Sequence, residues 1–331
     1  MKHWLTPAFL TMLTLLIVAE LVVRVFFARS MSGRFEYGYS PAAGFVENAD
    51  GTVNLVHAGG RPFWPQEFSR TRPPGTFRVM VIGNSVPRGP SLATAYPAQI
   101  GDKLRMVGIR TESFNLAIGG NGSARSEIIL RRALDYQPDL VILHADNADE
   151  YEDEREYARA QAFKSWRPKN WLMKSLFIRR LYEAKTEQIF WKWVPAEVRV
   201  LADVNDYGTK ALAGENPATL REWDERVRTN TSECVALARA RGMPILLLTA
   251  AREHDDGHGG HFLDDRGMDN LVQPMLGNGV YLLSMKQILG ATNFAEFYTG
   301  DGTHLRPNGH ELIAAAVVEK LRQEGVIAAR Q

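Results

Sequence analysis

The apolar and polar positions divide the chain into unequal stretches. Residues 4–23 are apolar almost throughout, and Glu20 is their single ionisable side chain. About twenty such residues cross a hydrocarbon core as a helix, so a transmembrane anchor is expected there. A cleaved signal peptide is the competing reading, with Ala28-Arg29-Ser30 as a poor cleavage site, but the apolar run is long for a signal-peptide core. Glu20 lies one turn from the end of the run, where Arg24 could pair with it. Residues 24–75 mix glycine, proline and aromatics without a helical period and read as an irregular juxtamembrane segment. The breaker cluster Arg72-Pro73-Pro74-Gly75 then marks the start of a folded domain expected at 76–328.

From that point strand and helix signals alternate. Residues 77–83 read as a buried strand, 95–106 as a helix and 111–116 as a strand. Residues 123–136 read as a helix with a basic face, and 138–144 as a strand. This rhythm predicts an α/β fold with a doubly wound parallel sheet, its active groups at the C-terminal strand ends. Residues 150–215 break the rhythm and are expected to form a helical insertion. An acidic run from Asp149 to Glu154 leads into Trp166, Trp171, Phe177, Phe190, Trp191 and Trp193 among lysines and arginines. Aromatic stripes are mostly core, whereas aromatics beside basic residues also suit a lid or a membrane surface. The alternation resumes with a helix at 218–241 stopped by Gly242, strands at 243–249 and 280–284, and a closing helix at 312–324.

Composition narrows the classes. The chain has 331 residues, with 39 basic and 38 acidic side chains and a net charge of +1. No global positive field exists, which argues against nucleic acid as a partner. One cysteine, Cys234, excludes an internal disulfide framework and a multi-cysteine metal site. It sits in the 218–241 helix and reads as a small, partly buried residue rather than a nucleophile.

Two short motifs carry chemistry. Gly83-Asn84-Ser85 follows the 77–83 strand directly, and Asp301-Gly302-Thr303-His304 stands near the C-terminus. Serine is a weak nucleophile until a base takes its proton. Histidine is that base, and a carboxylate fixes its tautomer and stabilises the imidazolium. The spacing of Asp301 and His304 lets one loop present both. A lone serine at a strand end more often caps a helix or finishes a turn, and Asp-Gly is a common turn pair, so each motif alone is weak. The Gly-x-Ser-x-Gly elbow of α/β-hydrolases is ruled out by Pro87 in its last position.

With two further segments, these motifs resemble the four sequence blocks of the SGNH hydrolases, the GDSL esterase/lipase superfamily. Gly83-Asn84-Ser85 matches the serine block, with Asn84 in place of the usual aspartate. Asn115 to Ser123 matches the block of the oxyanion glycine, with Ala117 where a glycine is often found. Ala145-Asp146-Asn147-Ala148 matches the block of the oxyanion asparagine, with alanines for its outer glycine and acid. Asp301 to His304 matches the last block. The resemblance covers roughly residues 70–325. It implies a flavodoxin-like sheet and a catalytic triad of Ser85, Asp301 and His304. It also implies an oxyanion hole from the Ser85 and Gly120 N–H groups and the Asn147 side-chain amide, and no metal or organic cofactor. Asp146 and Asp149 are expected to be solvated.

The function expected from this resemblance is hydrolysis of O-acyl esters on a cell-envelope glycan, a lipid or a small molecule. Transfer of an acetyl group to a polysaccharide, or a non-catalytic envelope role on the same scaffold, are the alternatives. An anchor ending in Glu-Leu-x-x-Arg also resembles the N-termini of membrane-anchored bacterial members. The resemblance implies a single-pass inner-membrane protein with a periplasmic domain. Counting Lys2 before the span against Arg24, Arg29 and Arg34 after it favours the opposite orientation by a small margin. The partners expected are an acyl ester and the membrane, with no protein partner indicated. A cluster of His254, Asp255, Asp256, His258, His261, Asp264 and Asp265 has no metal-ligand spacing and is expected to be a mobile polar loop bordering the cleft.

Overall fold

The computed structural model describes residues 2–32, 44–55, 63–146, 175, 177–178, 217–258 and 260–327. Helix α1 (Lys2–Ser32) runs beyond the predicted 4–23 span. Within it, Pro7–Phe26 is, among the described residues, the one segment long and apolar enough to cross a membrane, with mean hydropathy 2.2 and 6% of it buried. Phe9, Leu15, Leu21 and Phe26 all point outward, so this helix buries almost nothing against the rest of the chain. By length and composition it meets the requirement of a membrane span and equally that of a signal sequence. Arg24 pairs with Glu20 at 2.8 Å, as the sequence suggested. The same carboxylate accepts from the Ser175 hydroxyl at 2.6 Å and the Phe177 N–H at 2.9 Å.

Within the segment expected to be irregular, the described residues form a small sheet. Strands β1 (Phe45–Glu47), β2 (Thr52–Leu55) and β3 (Glu67–Ser69) form an antiparallel sheet. Its buried Phe45, Val53, Leu55 and Phe68 join one of the two cores. Phe45 stacks on Tyr136 with ring centres 5.3 Å apart, and Phe68 meets Phe114 at 4.6 Å. Strands of three or four residues carry too few alternations to stand out from loop sequence, which is why the pattern missed them.

The main domain is a five-stranded parallel sheet. Strand β4 (Phe77–Ile82) leads through α2 (Ser85–Arg88) and α3 (Tyr96–Met106) to β5 (Thr111–Asn115). Helix α4 (Ser123–Ala133) then leads to β6 (Leu140–Ala145), and α5 (Pro217–Ala240) to β7 (Ile245–Thr249). A hairpin of β8 (Arg252–Asp255) and β9 (His261–Asp264) follows, then α6 (Met268–Val272), β10 (Val280–Ser284), α7 (Met285–Gly290) and α8 (Pro307–Gln323). The spatial order β10-β7-β6-β4-β5 is the flavodoxin-like doubly wound arrangement. Successive residues of β4 serve opposite cores. Met80 and Ile82 pack with α4 and α5, while Val79 and Val81 pack with α3 and α8. Strands buried on both faces read as continuous apolar runs, which made β4, β6 and β7 visible in the sequence.

The predicted elements shift little, apart from α8. That helix starts at Pro307, in the first-turn position where proline's missing N–H costs nothing. The strand order reverses between β4 and β6, so a crevice opens at their C-terminal ends. The 150–215 insertion lies outside the described residues, apart from Ser175, Phe177 and Ile178.

Candidate active site

Strand β4 ends at Ile82 and Gly83 turns the chain out of the sheet. A Cβ on Gly83 would come within 2.6 Å of His144 Cβ and 2.7 Å of Pro87 Cγ, so only glycine fits there. Asn84 is extended, and its Oδ1 accepts the Val86 N–H at 2.9 Å, capping α2. Ser85 is the first residue of that helix, so its N–H has no carbonyl one turn back to bond. Asn84 therefore does at the backbone what an aspartate could do.

The segment after β5 is tied alongside. Leu116 N–H donates to Val81 O at 2.8 Å and Ile118 N–H to Gly83 O at 3.0 Å. The turn Ile118 to Asn121 is closed by Asn121 N–H to Ile118 O at 3.2 Å and holds Gly120 at φ +66°. That left-handed conformation favours glycine. Asn121 is buried, its side-chain amide donating to Gly83 O at 3.2 Å and Ser126 Oγ at 2.8 Å. Thus the Ser85 loop and the Gly120 turn share hydrogen bonds. Asn147 and Asp149 lie outside the described residues.

A third loop presents His304. Tyr298 and Leu305 form a bridge, and Thr299 N–H donates to His304 O at 2.7 Å. Asp301 Oδ1 accepts from Thr299 Oγ1 at 2.7 Å, His304 N–H at 2.9 Å and Thr303 N–H at 3.0 Å. Its Oδ2 lies 2.5 Å from His304 Nδ1, and His304 Nε2 lies 2.9 Å from Ser85 Oγ. Burial alone would raise the Asp301 pKa. Hydrogen bonds from the His304 backbone and ring, Thr303 and Thr299 outweigh it and hold the carboxyl well below the usual range. A carboxylate at Nδ1 places the ring proton there and leaves Nε2 free to accept from the serine.

The His304 loop leans on the β8–β9 hairpin. Glu253 N–H donates to Gly302 O at 2.8 Å, and a Cβ on Gly302 would overlap Glu253 O. The stretch expected to be a mobile polar loop is therefore in large part an antiparallel hairpin, its pairs running from Arg252↔Asp264 to Asp255↔His261. Among the described residues, no group of three or more histidine, cysteine or acidic side chains is placed to hold a metal. Asp146, expected to be solvated, is buried with 9% of its surface exposed. It accepts from Asn84 Nδ2 at 2.8 Å and Arg252 Nη2 at 3.1 Å. No local sequence signal joins Asp146 to Arg252.

Behind the serine, Tyr96, His144 and His310 form a buried cluster that sequence reasoning also missed. His310 Nδ1 accepts the Tyr96 N–H at 3.3 Å, and His144 Nδ1 lies 3.4 Å from the Tyr96 hydroxyl. Burial pushes both histidines down to about 4, with Arg252 adding to the effect on His144 against the pull of Asp146. The charges of His144 and His304 add to it on His310. Cys234 is fully buried, and burial raises its thiol far above the ordinary value.

No protein-family model and no curated protein matches the chain. Similarity to solved structures is distant. TesA aligns with TM-score 0.45 and 14% identity over 76% of this chain and 99% of that one. The psychrotrophic esterase EstA from Pseudoalteromonas sp. aligns at 0.42 and 11%, over 75% and 97%. AlinE4, described as an SGNH-hydrolase family esterase, aligns at 0.38 and 15%, over 76% and 98%. The chemistry is carried by the residues of the site and not by these distant likenesses.

Proposed function

We propose that this chain is a serine-dependent ester hydrolase of the SGNH type, with Ser85, His304 and Asp301 as its triad. The observation that carries the proposal is the unbroken line from Ser85 Oγ through both ring nitrogens of His304, at 2.9 and 2.5 Å, to the carboxylate of Asp301. His304 Nε2 takes the Ser85 proton as Oγ attacks the ester carbonyl carbon. The same ring then gives that proton to the departing alkoxide, leaving an acyl-serine. A water deprotonated by His304 attacks the acyl-serine carbonyl, the bond to Ser85 Oγ breaks, and the ring returns the proton to Oγ as the acid leaves. Asp301 holds the ring in the tautomer that can accept and stabilises the imidazolium. The tetrahedral oxyanion is assigned to the Ser85 and Gly120 N–H groups and the Asn147 amide.

The long apolar helix supports an inner-membrane anchor at 4–23. We assign the α/β domain to the periplasmic side on the resemblance to membrane-anchored members, against the small charge bias of the flanks. We assign the hydrolase domain to 76–328 and the substrate to O-acyl esters of a cell-envelope glycan, lipid or small molecule. The test is turnover of p-nitrophenyl acyl esters by the full chain in detergent, beside Ser85→Ala. Ser85-dependent release of p-nitrophenol is expected. A folded wild type that turns over no ester, with or without a sugar acceptor, would contradict the proposal. Acyl-sugar in place of free acid would redirect it to transfer.

A further inference from the structure

The loop after β4 that carries Ser85 and the loop before α8 that carries His304 are far apart in the chain. A small polar network joins them. Asn84 Nδ2 donates to Asp146 Oδ2 at 2.8 Å, and Arg252 Nη2 donates to the same oxygen at 3.1 Å. The other terminal nitrogen of Arg252, Nη1, donates to Thr303 Oγ1 at 3.2 Å. Each end then reaches the triad through a backbone N–H. Asn84 Oδ1 fixes the Val86 N–H, which sets the helix turn bearing Ser85. The Thr303 N–H holds Asp301 Oδ1 at 3.0 Å. The side chain of Asp146 is 4% exposed and that of Arg252 18%, so the ion pair is poorly screened.

We propose that Arg252, bridging Asp146 and Thr303, is a positioning residue that sets the register between the nucleophile loop and the base loop. The proposal rests on the esterase reading. The physical case is that Ser85 and His304 sit 219 positions apart in sequence and meet through one hydrogen bond of 2.9 Å. A planar guanidinium with two terminal donors fixes a distance as well as a charge, which a lysine ammonium does not. Asp146 completes the brace by accepting from both loops' partners on a single oxygen. The brace touches no reacting atom, so its loss is expected in kcat rather than in KM.

The test compares Arg252→Lys, Thr303→Val, their double variant and Thr303→Ser in the full chain in detergent. Lysine keeps the charge beside Asp146 but cannot span both partners; valine keeps the shape of threonine and removes the acceptor. Arg252→Lys and Thr303→Val are each expected to lower kcat about tenfold, the scale of one charge-assisted hydrogen bond, with KM within about twofold. The double variant should fall no further than the worse single, because both remove one link. Thr303→Ser, which keeps the hydroxyl, should restore wild-type kcat. The low-field NMR resonance of the His304 Nδ1 proton should shift or broaden in the first three variants and stay in place in Thr303→Ser, with unfolding temperatures unchanged. Wild-type kcat and an unmoved resonance in both single variants would overturn the brace, as would losses that add in the double variant. The resonance needs no turnover. A wild type without Ser85-dependent hydrolysis therefore sinks the esterase reading alone, and the brace still stands or falls on the resonance.

Discussion

Gly83→Ala places one methyl group where the site has no room. The new Cβ would stand 2.6 Å from His144 Cβ and 2.7 Å from Pro87 Cγ, against the 3.4 Å at which ordinary contact begins. The shortfall is 3.4 − 2.6, or about 0.8 Å. His144 Cβ is fixed to a central strand and cannot swing away, so the relief must come from the chain at Gly83 and from α2, which carries Pro87 and Ser85. Overfilling a packed site costs about 1–3 kcal/mol of stability. A nucleophile displaced by most of an ångström loses about ten- to a hundredfold in rate, or about 1.4–2.7 kcal/mol of transition-state stabilisation. The assay is steady-state hydrolysis of p-nitrophenyl acetate with a thermal melt beside it. Gly300→Ala is the control, since a Cβ there meets nothing within 4 Å. We expect a kcat loss of that size with KM nearly unchanged in Gly83→Ala, and wild-type behaviour in Gly300→Ala. A Gly83→Ala enzyme within about threefold of wild-type kcat would refute the reasoning, because a tolerated methyl means the turn does not position Ser85.

Two further predictions concern stability. Arg78 is fully buried, donating to Glu112 at 2.8 and 2.9 Å and to Tyr136 O at 2.7 Å, so Arg78→Ala should cost about 3–5 kcal/mol in urea unfolding; a loss below about 1 kcal/mol would contradict this. Burial holds His144 and His310 at about 4 in the folded chain, against 6.5 when exposed, so the unfolded chain takes up protons first. Their contribution is complete above pH 6.5 and is lost as pH falls toward 4, by about 2 kcal/mol each at pH 5. Unfolding free energies measured at pH 7 and pH 5 should differ in that direction, and equal values would refute the assignment.

The parallel sheet was legible because β4, β6 and β7 are continuous apolar runs bounded by breakers. The candidate site was legible because each half is local. Gly83-Asn84-Ser85 sits at a strand end, and Asp301 and His304 share one turn. What escaped was non-local or built from polar sequence. Arg252 and Asp146 are 106 positions apart, so no spacing announces their pairing. The β8–β9 hairpin carries Phe262 and Leu263 among charges and histidines, which gives no apolar alternation to read. Asp146 looks like any acid in the run that leads to Glu154, and only the fold shows that β6 carries it inward beside Asn84. The buried Tyr96, His144 and His310 escaped for a related reason. A histidine on an apolar strand, like His144, or in a helix's first turn, like His310, is silent until the neighbouring elements are in place.

The most direct test of the central claim is labelling of the detergent-solubilised full chain with a fluorophosphonate probe, wild type beside Ser85→Ala and His304→Ala. The probe bonds covalently only to a serine whose proton a base can take. Labelling of the wild type, lost in both variants, is the result predicted by a Ser85 activated through His304. A folded wild type that takes up no label, or label that persists in Ser85→Ala, would contradict it.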